Sequence, residues 1–535
     1  MLRKLKYNRS FRIVAWVVVF VSIGAFLFSA HRNATLAEPS RVLSWKMILD
    51  RSRTEEINKF FRSLPEYYIA NNEHELTLQR EALAAIFELS DEVPRLTDRE
   101  IATRLSEILK KAKSGGSYEN IGWTRGIAIL TYHLDEYFEK FHNIDNGTTE
   151  SELRMEVYAE IGRLRTEIPD LTDLEIKIRI QYILAKLGDS HTHTSLLTTD
   201  GIDKVYPFYA NSYEDGLWII GVFREKYAEA INCKILKIND VPIDEIFEKL
   251  CNFVGYENEI FVKARYGRYI ACPEILFAIN IINNVNDEIS ITLEDLDGST
   301  KTVVFDEKVP TKERVDESEA TLITDRIDGE KAFYARRDSE DIWVDYIEES
   351  KILFIRLNTF HMLEGKWEMN SEFDPYERIK EISSKYEIEK IVMDYRGNTG
   401  GWTKLDYPWQ NLVVDLANEV PLFLATNWNS YSAAPNQALY FKNNTNAVLI
   451  GMPTSSGLLE KMDPKEIDIP NKNFSLTFST SNYYEDYASD AEKVINHTKL
   501  SDYWENTIYP DFYVSIGIED YIQKRDPIME YISGL

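Results

Sequence analysis

An apolar run, Ile391-Val392-Met393-Asp394-Tyr395, leads directly into Arg396-Gly397-Asn398-Thr399-Gly400-Gly401. This strand-like segment followed by a glycine-rich turn restricts the fold more than any other stretch of the chain. Glycine tolerates φ > 0 and carries no side chain, so backbone can approach a ligand closely and point N–H groups at a developing negative charge. The turn therefore reads as half of an oxyanion hole, although a strand-to-helix turn can carry two glycines for steric reasons alone. Three other segments sharpen the reading: Gly188-Asp189-Ser190-His191-Thr192 upstream, Tyr431-Ser432-Ala433-Ala434 just downstream, and Glu505-Asn506 ahead of Pro510-Asp511.

With 535 residues, 44% of them apolar, the chain can bury large cores and is long enough for about three folding units. Its formal charge is −27 even though residues 1–30 hold five Lys/Arg and no Asp/Glu, which disfavours tracking of nucleic-acid phosphates or anionic lipid. The three cysteines, Cys233, Cys251 and Cys272, lack metal-ligand spacing and allow at most one disulfide. No residue pattern calls for a cofactor.

Ile13 to Ala30 is apolar apart from Ser22, Gly24 and Ser29, and follows Arg3, Lys4, Lys6, Arg9 and Arg12. That length matches the ~20 residues needed to span hydrocarbon, and the flanking charge keeps the tail on the cytoplasmic side. The expectation is a cytoplasmic tail (1–11), a transmembrane anchor at 12–30, and an extracytoplasmic remainder. A cleaved signal peptide ending at Ala30 or Ala37 is the alternative, in which case the protein is secreted.

Residues 31–195 read as helical, with apolar spacing of three and four in Glu81–Leu89, Asp98–Lys111 and Leu174–Leu187. Val93–Ile101 aligns with Ile168–Ile176 as an internal repeat, and both copies carry Thr-Asp followed by Glu, a helix-start signal. Residues 196–310 change to short β-branched runs, including Gly216–Phe223, Lys234–Ile238, Ile289–Leu293 and Thr302–Phe305, which predict a β-rich module. Residues 311–345 are dense in charge and read as a connector. From 346 to 535, strand-like Ile352–Leu357, Ile388–Tyr395, Val420–Thr426 and Ala447–Ile450 alternate with helical pieces, implying an α/β layer structure.

Ser432 sits where a strand gives way to a helix, a placement that exposes its hydroxyl and sets the next N–H beside a reaction centre. It could equally be a helix N-cap, and Ser430 competes with it on the same grounds. His191 titrates near neutrality when unperturbed and suits a base, with Ser190 or Asp189 to orient its ring. His191-Thr192-His193 could instead be a metal pair, since alternate residues of a strand share a face.

Together these segments resemble the tail-specific, or C-terminal-processing, serine peptidases of family S41. The matching pieces are Gly188–Thr192, Asp394–Gly401, Ser432-Ala433 and Gly451-Met452-Pro453-Thr454. The resemblance spans about 120–525 and implies an α/β core of the ClpP/crotonase type, with a PDZ-like β insert in which Ile235–Pro242 matches the usual strand-turn. It implies peptide-bond hydrolysis through an acyl-enzyme on a polypeptide substrate. The lysine of the Ser/Lys branch is absent, its position being Gly457, whereas Ser190, His191, Ser432 and Glu505 supply the Ser-His-Ser-Glu set of the tricorn-like branch. On that pattern His191 deprotonates Ser432, Glu505 holds Ser190 against the imidazole, and backbone N–H groups of Gly400 or Gly401 and of Ala433 form the oxyanion hole. Pro435 and Asn232-Cys233 depart from the family pattern. The competing function is an inactive peptide- or partner-binding envelope protein on the same scaffold.

Overall fold

A computed structural model of the chain describes residues 121–141, 150–198, 201–311, 332–337, 340–360, 374–401, 408–457, 460–470, 472–482 and 507–535. The expected anchor at 12–30, the first copy of the repeat, most of the charged connector and Glu505 lie outside them. Among the described residues no helix is long and apolar enough to cross a membrane.

Contacts divide the chain into two units. The described part of the smaller comprises 121–135, 161–171, 469–470 and 472–473. In it Gly126 lies close against Ile469, for a Cβ there would stand 2.9 Å from Ile469 Cγ2.

The larger unit is built on a six-stranded sheet in which Ile342–Ile347 runs antiparallel to Ile352–Leu357. Lys390–Asp394, Leu422–Thr426, Val448–Gly451 and Phe512–Tyr513 then add in parallel. Parallel neighbours need crossover connections, and Pro375–Lys385, Pro408–Leu416 and Ala433–Asn444 supply the helices. All six residues of Ile352–Leu357 and all five of Leu422–Thr426 are buried, as continuous apolar strands covered on both faces should be. One face packs Leu353, Ile355, Ile391, Met393 and Leu424 beneath helical Ala434, Ala438 and Phe441; the other packs Phe354, Val392 and Phe423 on Ile528 and Ile532. The mixed α/β class expected from the sequence is the one observed, and the carboxyl ends of its parallel strands are where such sheets bind ligands.

A second sheet orders Phe208–Tyr213, Gly216–Val222, Cys233–Ile238, Ile289–Glu294 and Thr300–Phe305 as antiparallel neighbours. Three helices, Ile243–Phe253, Ile260–Ile270 and Pro273–Ala278, interrupt the strands. They add to the β-rich reading: Ile246, Leu250 and Phe253 are buried at helical spacing, a 3.6 period that runs of β-branched residues do not reveal. Gly267 lets the Ile260–Ile270 helix lie directly on Phe208–Tyr213, since a Cβ would fall 1.9 Å from the Ala210 carbonyl oxygen. All three cysteines are free thiols.

The helix Asp173–Ala185 begins as the repeat predicts: Thr172 Oγ1 accepts from Glu175 N at 3.3 Å, and Glu175 Oε2 accepts from Thr172 N at 2.7 Å. This helix delivers the chain to Gly188–Thr192. Gln181, buried in it, donates to the Phe253 carbonyl and accepts from both Thr194 N and Oγ1, which ties the segment after His191 to the helix.

Candidate active site

The glycine-rich turn caps the carboxyl end of Lys390–Asp394 and is held by a buried ion network. Asp394 accepts from Arg396 N and Nε at 3.0 and 2.9 Å and pairs with Arg356 at 2.7 Å, while Arg396 reaches Asp526 with Nη1 at 2.7 Å and Nη2 at 3.0 Å. Two carboxylates and two guanidiniums neutralise one another, which is what allows four charges to be buried together. Asn398 fastens the rest: its Nδ2 donates to the Leu357 carbonyl, its Oδ1 accepts Gly400 N–H at 2.8 Å, and its carbonyl accepts Tyr431 N–H at 3.0 Å. The last of these bonds joins the turn to the serine segment.

Ser432 lies between the strand Leu422–Thr426 and the helix Ala433–Asn444 with φ +56° and ψ −117°, and its side chain makes no capping bond. A non-glycine residue in that region costs of order 1–3 kcal/mol and persists only where its surroundings enforce it. Here Ser432 N–H donates to Ser456 Oγ at 2.7 Å, and Gly400 packs so closely that a Cβ on it would be 2.5 Å from Ser432 Cβ. Ser430, the competing serine, is fully buried. It donates to the Tyr395 carbonyl and accepts Asn427 N–H, bonds that brace the turn and take up its hydroxyl.

The structure brings His191 to Ser432 across 241 residues, with Nε2 3.2 Å from Oγ. The other ring nitrogen, Nδ1, is 2.9 Å from Tyr431 Oη, which is in turn 2.7 Å from Ser190 Oγ. The His191 and Tyr431 rings stack with centroids 4.9 Å apart. Asp189 shapes the loop: it accepts from His191 N, Thr192 Oγ1 and Ser479 Oγ. Burial lowers the His191 pKa to about 4, outweighing the nearby Asp189 carboxylate that raises it, with His193 and Arg265 adding to the fall. The imidazole is therefore neutral over the whole physiological range, with a lone pair on Nε2 when the proton sits on Nδ1.

Of the residues expected at the site, Ser190, His191, Ser432, Gly400 and Ala433 are brought together. Gly400 N–H is engaged by Asn398, and Gly401 lies beside Phe360, whose carbonyl oxygen would be 2.3 Å from a Cβ at Gly401. His193 directs Nδ1 to the Thr194 carbonyl, and no cluster of potential ligands among the described residues includes it. The cluster that does form is Asp189, His191 and Glu257.

Three residues escaped the sequence reading. Tyr431, quoted only as the neighbour of Ser432, links His191 to Ser190. Glu257 receives Ser190 N–H on both carboxylate oxygens at 3.3 Å, and Glu460 is buried against Asn436. None belongs to a motif; the signal that could have found them is the pairing of distant polar residues, which one sequence does not reveal. Burial and then the charge of Asp189 push the Glu257 pKa up to about 7, against the pull of its bonds from Ser190. Because the folded pKa lies above the unfolded one, the stability Glu257 contributes is complete in acid and drains away as pH rises through about 7. Glu257→Gln should therefore gain melting temperature over the parent, with a gain that grows between about pH 4.5 and pH 7, where the carboxyl is ionised in the unfolded chain but not in the folded one, and levels off above; differential scanning fluorimetry at several pH values checks this.

No protein-family model and no curated relative matches the chain. Among solved structures it is similar to mature CPAF, with 11% identity, TM-score 0.44, and coverage of 76% of this chain and 95% of that one. It is similar to the photosystem II D1 C-terminal processing protease, with 12% identity, TM-score 0.29 and coverage of 69% and 94%. It is also similar to the tricorn protease, with 12% identity, TM-score 0.32 and coverage of 76% and 36%. These neighbours are S41-family peptidases.

Proposed function

We propose that this chain is a serine peptidase of the S41 type that cleaves peptide bonds through an acyl-enzyme. The observation that carries the reading is the 3.2 Å approach of His191 Nε2 to Ser432 Oγ, made by a serine that is held at positive φ and caps nothing. Nε2 takes the Ser432 proton as Oγ attacks the scissile carbonyl, and returns it to the leaving amine; water then repeats the attack on the ester. Nδ1–H donates to Tyr431 Oη, and the Tyr431 hydroxyl donates to Ser190 Oγ, so the relay fixes the tautomer that Nε2 needs. The tetrahedral oxyanion faces the N–H groups of Ala433 and Gly401, Gly400 serving to seat Ser432. In this reading the core is ClpP/crotonase-like, the 196–310 module PDZ-like, Glu505 an outer partner of Ser190, and residues 12–30 an anchor that leaves the peptidase outside the cytoplasm.

A fluorophosphonate tests the nucleophile directly. Incubated with the full chain, it should add one adduct, mapped by peptide mass spectrometry to Ser432. The rate should hold as pH falls through 6.5 and drop only toward about 4, where His191 becomes protonated. An adduct elsewhere would remove Ser432 as the nucleophile, whereas a midpoint near 6.5 would mean that burial does not lower His191 and would leave the pair standing.

A further inference from the structure

We propose that the cavity bordering the glycine-rich turn is a carboxylate-binding subsite built around Arg265, which selects polypeptide substrates by an acidic side chain. The cavity holds about 430 Å³ and is lined by Gly397 and Thr399 of the turn, by Ala210 and Asn211, and by Arg265 and Arg268; among the described residues no Asp, Glu or Lys lines it. Thr399 immediately precedes Gly400, which packs on Ser432, so an extended chain with its scissile carbonyl at Ser432 lies within a residue or two of the cavity.

Arg265 is the unusual member. Its guanidinium lies 3.7 Å from the Phe261 ring centroid and 4.6 Å from that of Tyr431, so aromatic rings cover it. Among the described residues its one hydrogen bond runs from Nη1 to the Phe261 carbonyl at 3.3 Å, and no carboxylate comes within ion-pair distance of it. Glu257 is the acidic group that bears on it electrostatically, without pairing. Arg356 and Arg396, in the adjoining 210 Å³ cavity, show the contrast: both are neutralised by Asp394 and Asp526. A guanidinium does not shed its proton, so leaving one half-buried among aromatic rings without a carboxylate is costly in a chain of net charge −27 that has acidic residues to spare. A substrate carboxylate supplies the missing partner, bidentate on the free Nε and Nη2 edge. The general acidity of the chain argues for basic or neutral substrates; the local field at this cavity argues the opposite, and it acts at shorter range in a drier place.

The subsite rests on the peptidase reading for its substrate, and the test separates the two. A degenerate peptide library with amidated ends is digested by the full chain and the cut sites are read by mass spectrometry. Asp and Glu should be enriched about tenfold at one fixed distance from the cut bond, fall to background in Arg265→Gln and survive in part in Arg265→Lys. Cutting of the same library without amidation at a fixed distance from its end, with no Asp or Glu preference, overturns the side-chain subsite. A flat profile with both libraries, or enrichment untouched by Arg265→Gln, overturns the subsite and leaves the peptidase standing. If nothing is cut and no fluorophosphonate adduct forms, the peptidase reading fails, and saturation-transfer NMR decides the subsite by itself. There, N-acetylglutamate α-amide should contact the wild type and not Arg265→Gln, whereas equal signals from N-acetylglutamine α-amide overturn the proposal. Should Arg265→Gln lose its circular-dichroism spectrum, Arg268→Gln on the same cavity is read in its place.

Discussion

Ser432→Ala should lower peptide hydrolysis by about 10⁴- to 10⁶-fold, His191→Ala should cost about as much, and the double variant should cost no more than either. The equality follows from geometry. With Nε2 3.2 Å from Oγ the two side chains act on one proton, so removing either removes the step. The residual rate comes from the backbone N–H groups that still polarise the carbonyl. Ser432→Ala also relieves no structural duty, because the hydroxyl makes no capping bond and its backbone bond to Ser456 survives the change. The variant should therefore keep the parent's melting temperature while losing turnover. The measurement is kcat/KM for one peptide in all four proteins. Losses that multiply in the double variant would mean that His191 and Ser432 act in separate steps, and unchanged turnover in Ser432→Ala would exclude it as the nucleophile.

How much of this site could be read before folding depended on whether a residue's role is local. The strands Ile352–Leu357 and Leu422–Thr426 were legible because burial on both faces leaves a continuous apolar run, and the Thr172–Glu175 box because capping is settled within four residues. Ser432 and Ser430 were not separable: both precede a helix, and only the long-range fit of Gly400 and Ser456 against one and Tyr395 against the other makes one strained and available and its neighbour a brace. Tyr431 was invisible as a relay for the same reason, its partner Ser190 lying 241 residues upstream. The helices between 243 and 278 were missed through attention to β-branched runs, although the Ile246, Leu250, Phe253 spacing was present. Arg265 carries no motif at all, and its place between the Phe261 and Tyr431 rings at a cavity edge is set only by the fold.

Gly400→Ala is the second severe change, and it separates backbone conformation from packing. Gly400 sits at φ +92°, where an L side chain is strained, and a Cβ there would stand 2.5 Å from Ser432 Cβ, 2.9 Å from the Tyr431 carbonyl oxygen and 3.0 Å from Ala433 N. Two of these three neighbours are backbone and the third is the first atom of the reacting side chain, so no flexible tip can give way. Either the turn moves off Ser432 or Ser432 leaves His191. A shift of about 1 Å costs on the order of 100-fold in rate, and a displaced oxyanion donor a further 100- to 1000-fold, so activity should fall by at least about 10³. The control is Gly298→Ala at the tip of the hairpin joining Ile289–Glu294 to Thr300–Phe305. Gly298 has nearly the same φ, +83°, but nothing within 4 Å of its would-be Cβ. It should pay only the backbone strain of order 1 kcal/mol, seen as a lower melting temperature with kcat/KM intact. If Gly400→Ala behaved like Gly298→Ala, losing stability but not rate, then close contact between the glycine turn and the serine would not be what holds Ser432 in reach of His191.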